Sequence, residues 1–454
     1  MTGERPRFDR RRLLVGLAGG AAVAVAGCSA PGNDDVTTAT TFTRAEAESI
    51  LTESPSAPTV DRPVPIEPAK TALEAERYRV DDLLAAVPEP ITADEVPNGV
   101  VRNAIADRRD GAIESLEETV DATGPERYHA LRTTRDARDD ARTATVTWSA
   151  IDADRETLLD DLGDERRSAR STLADRLDGV AYRGEDGEDG RLRAALFYAE
   201  LEDDLETATR RLDRWNVDEA SAVVDLGEAA GDLEFATATT AVWDHCRGRY
   251  ADETGDRADL EPVFADALEA SRDRVADVDL PDQDGDDWLA DLVASEVEQG
   301  FDQTLLWDAV RPVYRAADGL EDALEDGRYG PGLSAALRFE HEYRAFEDVR
   351  ERFESGAVTA PESIDEIRAQ RTATVEAAES AIESVTRPSL GMARLADTVR
   401  DLGWTDDAIR RSADGDPEMN VTLGDEYSEY VCLEARFTVL PDALAAFRSR
   451  LLEA

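Results

Sequence analysis

Lysine is almost missing from this chain: Lys70 is the only one, and the other 50 of its 51 basic residues are arginines. Cysteine, histidine and methionine are each present only three times in 454 residues, and aromatic side chains make up 6%. So few histidines, at 129, 245 and 341 and far apart in sequence, argue against a histidine-rich metal site. No glycine-rich phosphate loop, no GxSxG elbow and no other nucleophile motif is present. The apolar stretch at residues 13–27 has fifteen residues, fewer than the ~20 a membrane-spanning helix needs.

Acid is what the chain has in excess. Against 51 basic side chains stand 101 Asp and Glu, a formal net charge of −50. That sign excludes nucleic acid as a partner, because phosphates would be repelled. An excess spread along the whole chain with lysine nearly absent resembles the composition bias of extreme halophiles, where hydrated carboxylates keep a surface solvated in brine. Salt near 1 M shortens the Debye length to roughly 3 Å, so the charge would steer no distant ligand there. In dilute buffer the same charge should repel itself.

The N-terminus carries an address. Arg5, Arg7, Arg10, Arg11 and Arg12 precede the uncharged residues 13–27 (LLVGLAGGAAVAVAG), a basic region followed by an apolar one. The run Asp9-Arg10-Arg11-Arg12-Leu13-Leu14 resembles the twin-arginine export signal, with Arg10 and Arg11 as the pair and Asp9 where that family favours Ser or Thr. Val25-Ala26-Gly27-Cys28 resembles a lipobox, whose cysteine becomes the lipid-bearing N-terminus. Together they resemble the leaders of haloarchaeal twin-arginine-exported lipoproteins, a resemblance confined to about the first thirty residues. It implies a signal peptide over 1–27, membrane attachment through Cys28, and residence on the outer face of the cytoplasmic membrane.

Residues 28–67 are rich in Thr, Pro, Ser and Asp and read as a flexible tether, which would lift the rest roughly 35 Å from the membrane. Within it, Thr43-Arg44-Ala45-Glu46 is a capping-box pattern that predicts a short helix over 44–52. From Lys70 onward apolar residues recur at helical spacing. Ala194, Tyr198, Leu201, Leu205, Ala208, Leu212 and Trp215 fall on one stripe, with Glu202, Asp203, Glu206 and Arg210 expected to face away. Similar stripes run through 158–177 and 375–385. A polar stretch at 249–259 suggests one helical domain over 68–250 and a second helical half or domain over 258–454. Alternating apolar residues at 431–439 suggest a strand. The expected fold class is mainly α, one or more multi-helix bundles with a short strand or hairpin near the C-terminus.

Each candidate for chemistry meets an obstacle. Glu126 and His129 stand at i and i+3, half of a di-iron motif, but neither other histidine has a carboxylate three residues before it. Glu340-His341-Glu342 lacks the second histidine of HExxH, with Ala345 in its place. It also lacks the GxHxxE pattern of imelysin-like helical lipoproteins, and His341 reads as a helical residue at the core's edge. The acidic run 282–287 has calcium-loop density but the wrong glycine position. Cys246 and Cys432, the pair left once Cys28 is acylated, form either a disulfide or two buried free thiols. Asn420-Val421-Thr422 is the sole N-glycosylation sequon. No catalytic residue, metal ligand or cofactor emerges, and enzymatic activity is not expected. The expectation is therefore a non-enzymatic envelope scaffold or interaction module, with a solute- or cation-binding lipoprotein feeding a transporter as the alternative.

Overall fold

The computed structural model describes residues 40–255, 257–278, 280–283, 288–385 and 388–453. Arg10, Arg11, Cys28 and most of the calcium-like loop, residues 284–287, lie outside the described residues. Thirteen α-helices account for most of what is described, with four two-residue strands.

The chain enters through β1 (Phe42–Thr43) and α1 (Arg44–Thr52). Here the capping box forms as expected: Thr43 Oγ1 accepts from the Glu46 amide at 3.2 Å, and Glu46 Oε2 accepts from the Thr43 amide at 2.7 Å. Those two bonds satisfy amide donors that a helix start leaves unpaired. The tether expected over 28–67 requires correction from Phe42 onward. Phe42, Ala47, Ile50 and Ile66 are buried, α1 packs on later helices, and Arg371 Nη1 donates to the Pro55 carbonyl at 2.8 Å. Prolines and threonines made this stretch read as linker, yet an extended segment can lie on a body and be pinned by side chains.

Six helices follow: α2 (Lys70–Leu84), α3 (Gly99–Glu118), α4 (Glu126–Ser149), α5 (Arg155–Asp178), α6 (Glu188–Asp213) and α7 (Val223–Thr254). Central among them, α4 packs against α2, α3 and α7. Gly227 and Gly231 lie one turn apart on α7 where it meets α4, and a Cβ on Gly227 would stand 2.8 Å from the Thr143 carbonyl oxygen. The two backbones approach closely because no side chain separates them.

The second group is α8 (Glu261–Ala276), a 3₁₀ turn (Trp288–Leu292), α9 (Phe301–Glu325), α10 (Tyr329–Glu354), α11 (Ile364–Ser384), α12 (Leu390–Ala413) and α13 (Gly424–Glu453). Helix α10 packs on α9 and α13, α11 packs on α13, and α1 lies against α11 and α12. Helix α11, which carries the stripe at 375–385, is capped by Ser363, whose hydroxyl accepts from the Glu366 amide. A short strand near the C-terminus is present as β4 (Asn420–Val421), antiparallel to β1. The alternating residues 431–439 are helical, in α13. Val431, Cys432, Leu433, Ala435, Arg436 and Phe437 are all buried there, so the helix is enclosed on most sides and its apolar stripe carries little period.

The two groups share material. Helix α6 packs on α10, and β2 (Arg183–Gly184) pairs with β3 (Ala258–Asp259). One apolar cluster runs from Leu131, Phe197 and Trp243 through Phe264 and Leu337 to Phe447, without stopping at residues 250–258. A second is built around Val313, Phe346, Leu395 and Phe437. The described residues form one compact unit. None of their helices is long and apolar enough to cross a membrane.

Candidate functional site

Most polar chemistry in the interior is arginine paired with carboxylate. In the first group Arg79 meets Glu234 through two hydrogen bonds of 3.0 Å, and Arg138 Nε reaches the same carboxylate at 2.9 Å. Asp204 accepts from Arg132 at 2.7 Å and pairs with Arg135 at 2.9 Å. Arg62, from the N-terminal segment, bridges Glu200 on α6 and Asp397 on α12 at 2.9 and 2.8 Å. Guanidinium suits these positions because its fork offers several donors to neighbouring carboxylates.

In the second group Arg371 holds Asp406 through two bonds of 2.9 and 2.7 Å, and the Tyr430 hydroxyl donates to the same carboxylate at 2.7 Å. Glu340 is shared by Arg344, Arg450 and Arg274. His341 is fully buried in α10, not at the core's edge. Its Nε2 stands 2.7 Å from the Arg436 carbonyl oxygen, and its Nδ1 accepts from Arg394 Nε at 2.9 Å. That pattern fits the neutral imidazole with its proton on Nε2. Burial, with Arg394 adding to it, lowers the His341 pKa to about 3. Beside it Glu342 contacts Arg394 and accepts from Arg436 Nε at 2.9 Å. Burial alone would raise the Glu342 pKa, but Arg436 and Arg394 outweigh it and hold the carboxylate near 2. Both histidine nitrogens and the carboxylate are committed to internal partners, an arrangement that fixes helices and offers no free group to a substrate.

The remaining histidines stay apart from this cluster. His129 lies beside the Arg62 carbonyl at 3.2 Å, and His245 Nε2 accepts the Ala69 amide at the start of α2, also within 3.1 Å. Among the described residues, no three His, Cys, Asp or Glu side chains converge as a metal would require. Cys246 and Cys432 are free thiols, each buried in a different apolar cluster. The disulfide offered as one alternative is thus not formed; sequence separation carries no information about which core a cysteine enters. Burial pushes the Cys246 thiol up to about 12 and raises that of Cys432 as well, so neither is poised as a nucleophile. Asn420 lies exposed on β4.

One correction concerns α6. Glu202, expected to face away from the apolar stripe, is fully buried. Among the described residues no arginine forms an ion pair with it; its Oε2 accepts from the Tyr182 hydroxyl at 3.0 Å.

A cavity of about 300 Å³ opens where α6 meets the α11–α12 turn and α13. Leu192, Val385, Leu444 and Phe447 supply apolar walls, and Ser384 and Arg448 bring polar groups. Arg448 is already paired with Glu188. In sequence the cavity left no trace, because its walls come from three distant segments.

Against known families, residues 71–256 match a domain of unknown function, DUF8262, and residues 261–449 match another, DUF8264. The gap between the two matches falls at β3. No curated protein and no solved structure matches the chain.

Proposed function

We propose that this chain is a lipid-anchored, extracytoplasmic helical protein of a halophile, serving as a non-enzymatic scaffold or interaction module of the cell envelope. The observation that carries the proposal is the leader: the Arg10-Arg11 pair, the uncharged residues 13–27 and the Val25-Ala26-Gly27-Cys28 box follow one another in the order that export and acylation require. A mostly helical body whose buried acids are largely held by arginines supports a role in presenting a fixed surface. With Cys28 acylated, residues 29–41 would stand between the lipid and the first packed side chain, Phe42, a reach of at most roughly 45 Å at full extension. The body would then work close to the membrane, where its partners would be other envelope proteins. The cavity beside Arg448 favours the second reading, a solute-binding lipoprotein serving a transporter.

The test is fractionation of cells producing the wild-type chain or Cys28→Ser. The wild type should sediment with membranes and the variant should be released, since each buried methylene of an acyl chain contributes about 0.8 kcal/mol to anchoring. Identical partitioning of the two, or a wild-type chain in the cytosol with its first methionine retained, overturns the proposal.

A further inference from the structure

Seven carboxylates are buried among the described residues: Glu200, Glu202, Asp204, Glu234, Glu340, Glu342 and Asp406. Six of them are paired with at least one arginine. Glu202 is the exception: no arginine is ion-paired with it, the Tyr182 hydroxyl donates to Oε2, and Oε1 is without a hydrogen-bond partner. The same hydroxyl accepts the Tyr329 amide at 3.0 Å, the first residue of α10. Tyr182 therefore couples a carboxyl on α6, within the DUF8262 match, to the start of a helix within the DUF8264 match.

This seam has no slack. A Cβ on Gly330 would stand 2.5 Å from the Tyr198 carbonyl carbon, so the backbones of α6 and α10 touch there. Rings of Tyr182, Tyr198, Tyr329 and Phe264 pack edge-on or tilted around the contact. A neutral carboxyl fits such a place. A carboxylate there would have only the Tyr182 hydroxyl and the Gly330 amide to set against its burial, and admitting water or a cation to complete its solvation requires the two helices to part.

We propose that Glu202, acting through Tyr182, is a proton-held latch between the two family modules: neutral, it closes the α6–α10 seam, and losing its proton releases the first turn of α10. The charged groups around it do not replace the proton. On its own helix Glu206 disfavours ionisation, and from the turn before α10 Arg328 favours it but is engaged by Glu206 and Asp326. From α10 the Gly330 amide also favours the anion, while α8 presents Phe264 to Tyr182. Burial is the largest influence and lifts the Glu202 pKa to about 8.

A carboxyl that ionises near its ordinary value when the seam is open, and only near 8 when it is closed, favours opening as pH rises between those values. One proton is involved, so the opening constant should grow about tenfold per pH unit and level off above the closed-state value. The experiment is hydrogen exchange at residues 329–333 of the full chain in molar salt, from pH 5 to 9, corrected for the intrinsic exchange rate. Wild-type protection should fall about tenfold per pH unit up to about pH 8. Glu202→Gln, which keeps the shape without the charge, should remove that slope. Tyr182→Phe retains the carboxyl and should show lower protection with the slope intact. A wild type without the slope, a Glu202→Gln variant with the wild-type slope, or a Tyr182→Phe variant that has lost it overturns the proposal.

Discussion

A buried ion pair is costly to create and more costly to break, which makes single residues informative here. Arg371 and Asp406 are both almost wholly enclosed, and Tyr430 and the Pro55 carbonyl complete their hydrogen bonding. Changing Arg371→Met leaves the Asp406 charge with one hydroxyl in an apolar surrounding, an expected loss of about 3–5 kcal/mol. Adding Asp406→Asn removes the stranded charge and should recover much of that loss. Urea unfolding of both variants in molar salt checks this; equal destabilisation by the single and double substitutions would show that lost packing, not the unpaired charge, sets the cost. The same reasoning places His341 in the interior: imidazole is tolerated there because it stays neutral and both its nitrogens have partners.

At the scale of elements, close approach of backbones is the feature most exposed to substitution. Gly227→Val on α7 puts a branched side chain where Thr143 and Thr147 of α4 already stand, and overpacking of this kind costs about 1–3 kcal/mol when neighbours can shift. Here one neighbour is a carbonyl oxygen of α4, which cannot move without its helix, so the expected loss lies at the upper end of that range. Gly248→Ala, on the same helix with open space around it, should be neutral or stabilising. Thermal unfolding of the pair separates the packing effect from helix propensity, and similar midpoints for both variants would refute it.

Local chemistry explains which elements were legible in the sequence. The Thr43–Glu46 box and the α6 stripe were readable because a cap is satisfied within four residues and a stripe within one helix. Glu202 was misplaced for a related reason: helical spacing separates an apolar face from a polar one, but α6 is enclosed on further sides, and Glu200, Glu202 and Asp204 are buried with it. The alternation at 431–439 misled in the same way, since a helix covered by α10, α11 and α12 no longer needs a polar side. Residues 42–66 read as linker because the groups that pin them, on Glu200, Arg371 and Asp397, come from far along the chain. The arginine–carboxylate clusters and the cavity were likewise invisible, as each joins segments that only tertiary packing brings together.

For the molecule as a whole the governing quantity is the net charge of −50. Arginines pair with six of the seven acids buried among the described residues, so the uncompensated charge lies mainly on the outside, where its self-repulsion opposes the compact state. Salt at about 1 M reduces the range of that repulsion to roughly 3 Å, whereas at 0.01 M it reaches about 30 Å, comparable to the length of a 20-residue helix. Lowering salt should therefore loosen the body as a whole while the internal pairs, shielded from solvent, lag behind the surface. The expected outcome is a cooperative loss of helical circular dichroism between molar and millimolar salt, accompanied by an increase in hydrodynamic radius. If self-repulsion is the cause, lowering the pH to about 4.5 in dilute buffer, which protonates many exposed carboxylates, should restore compactness without added salt. Helicity and radius unchanged across the salt range, or a collapse that acid does not reverse, would refute this account of the charge.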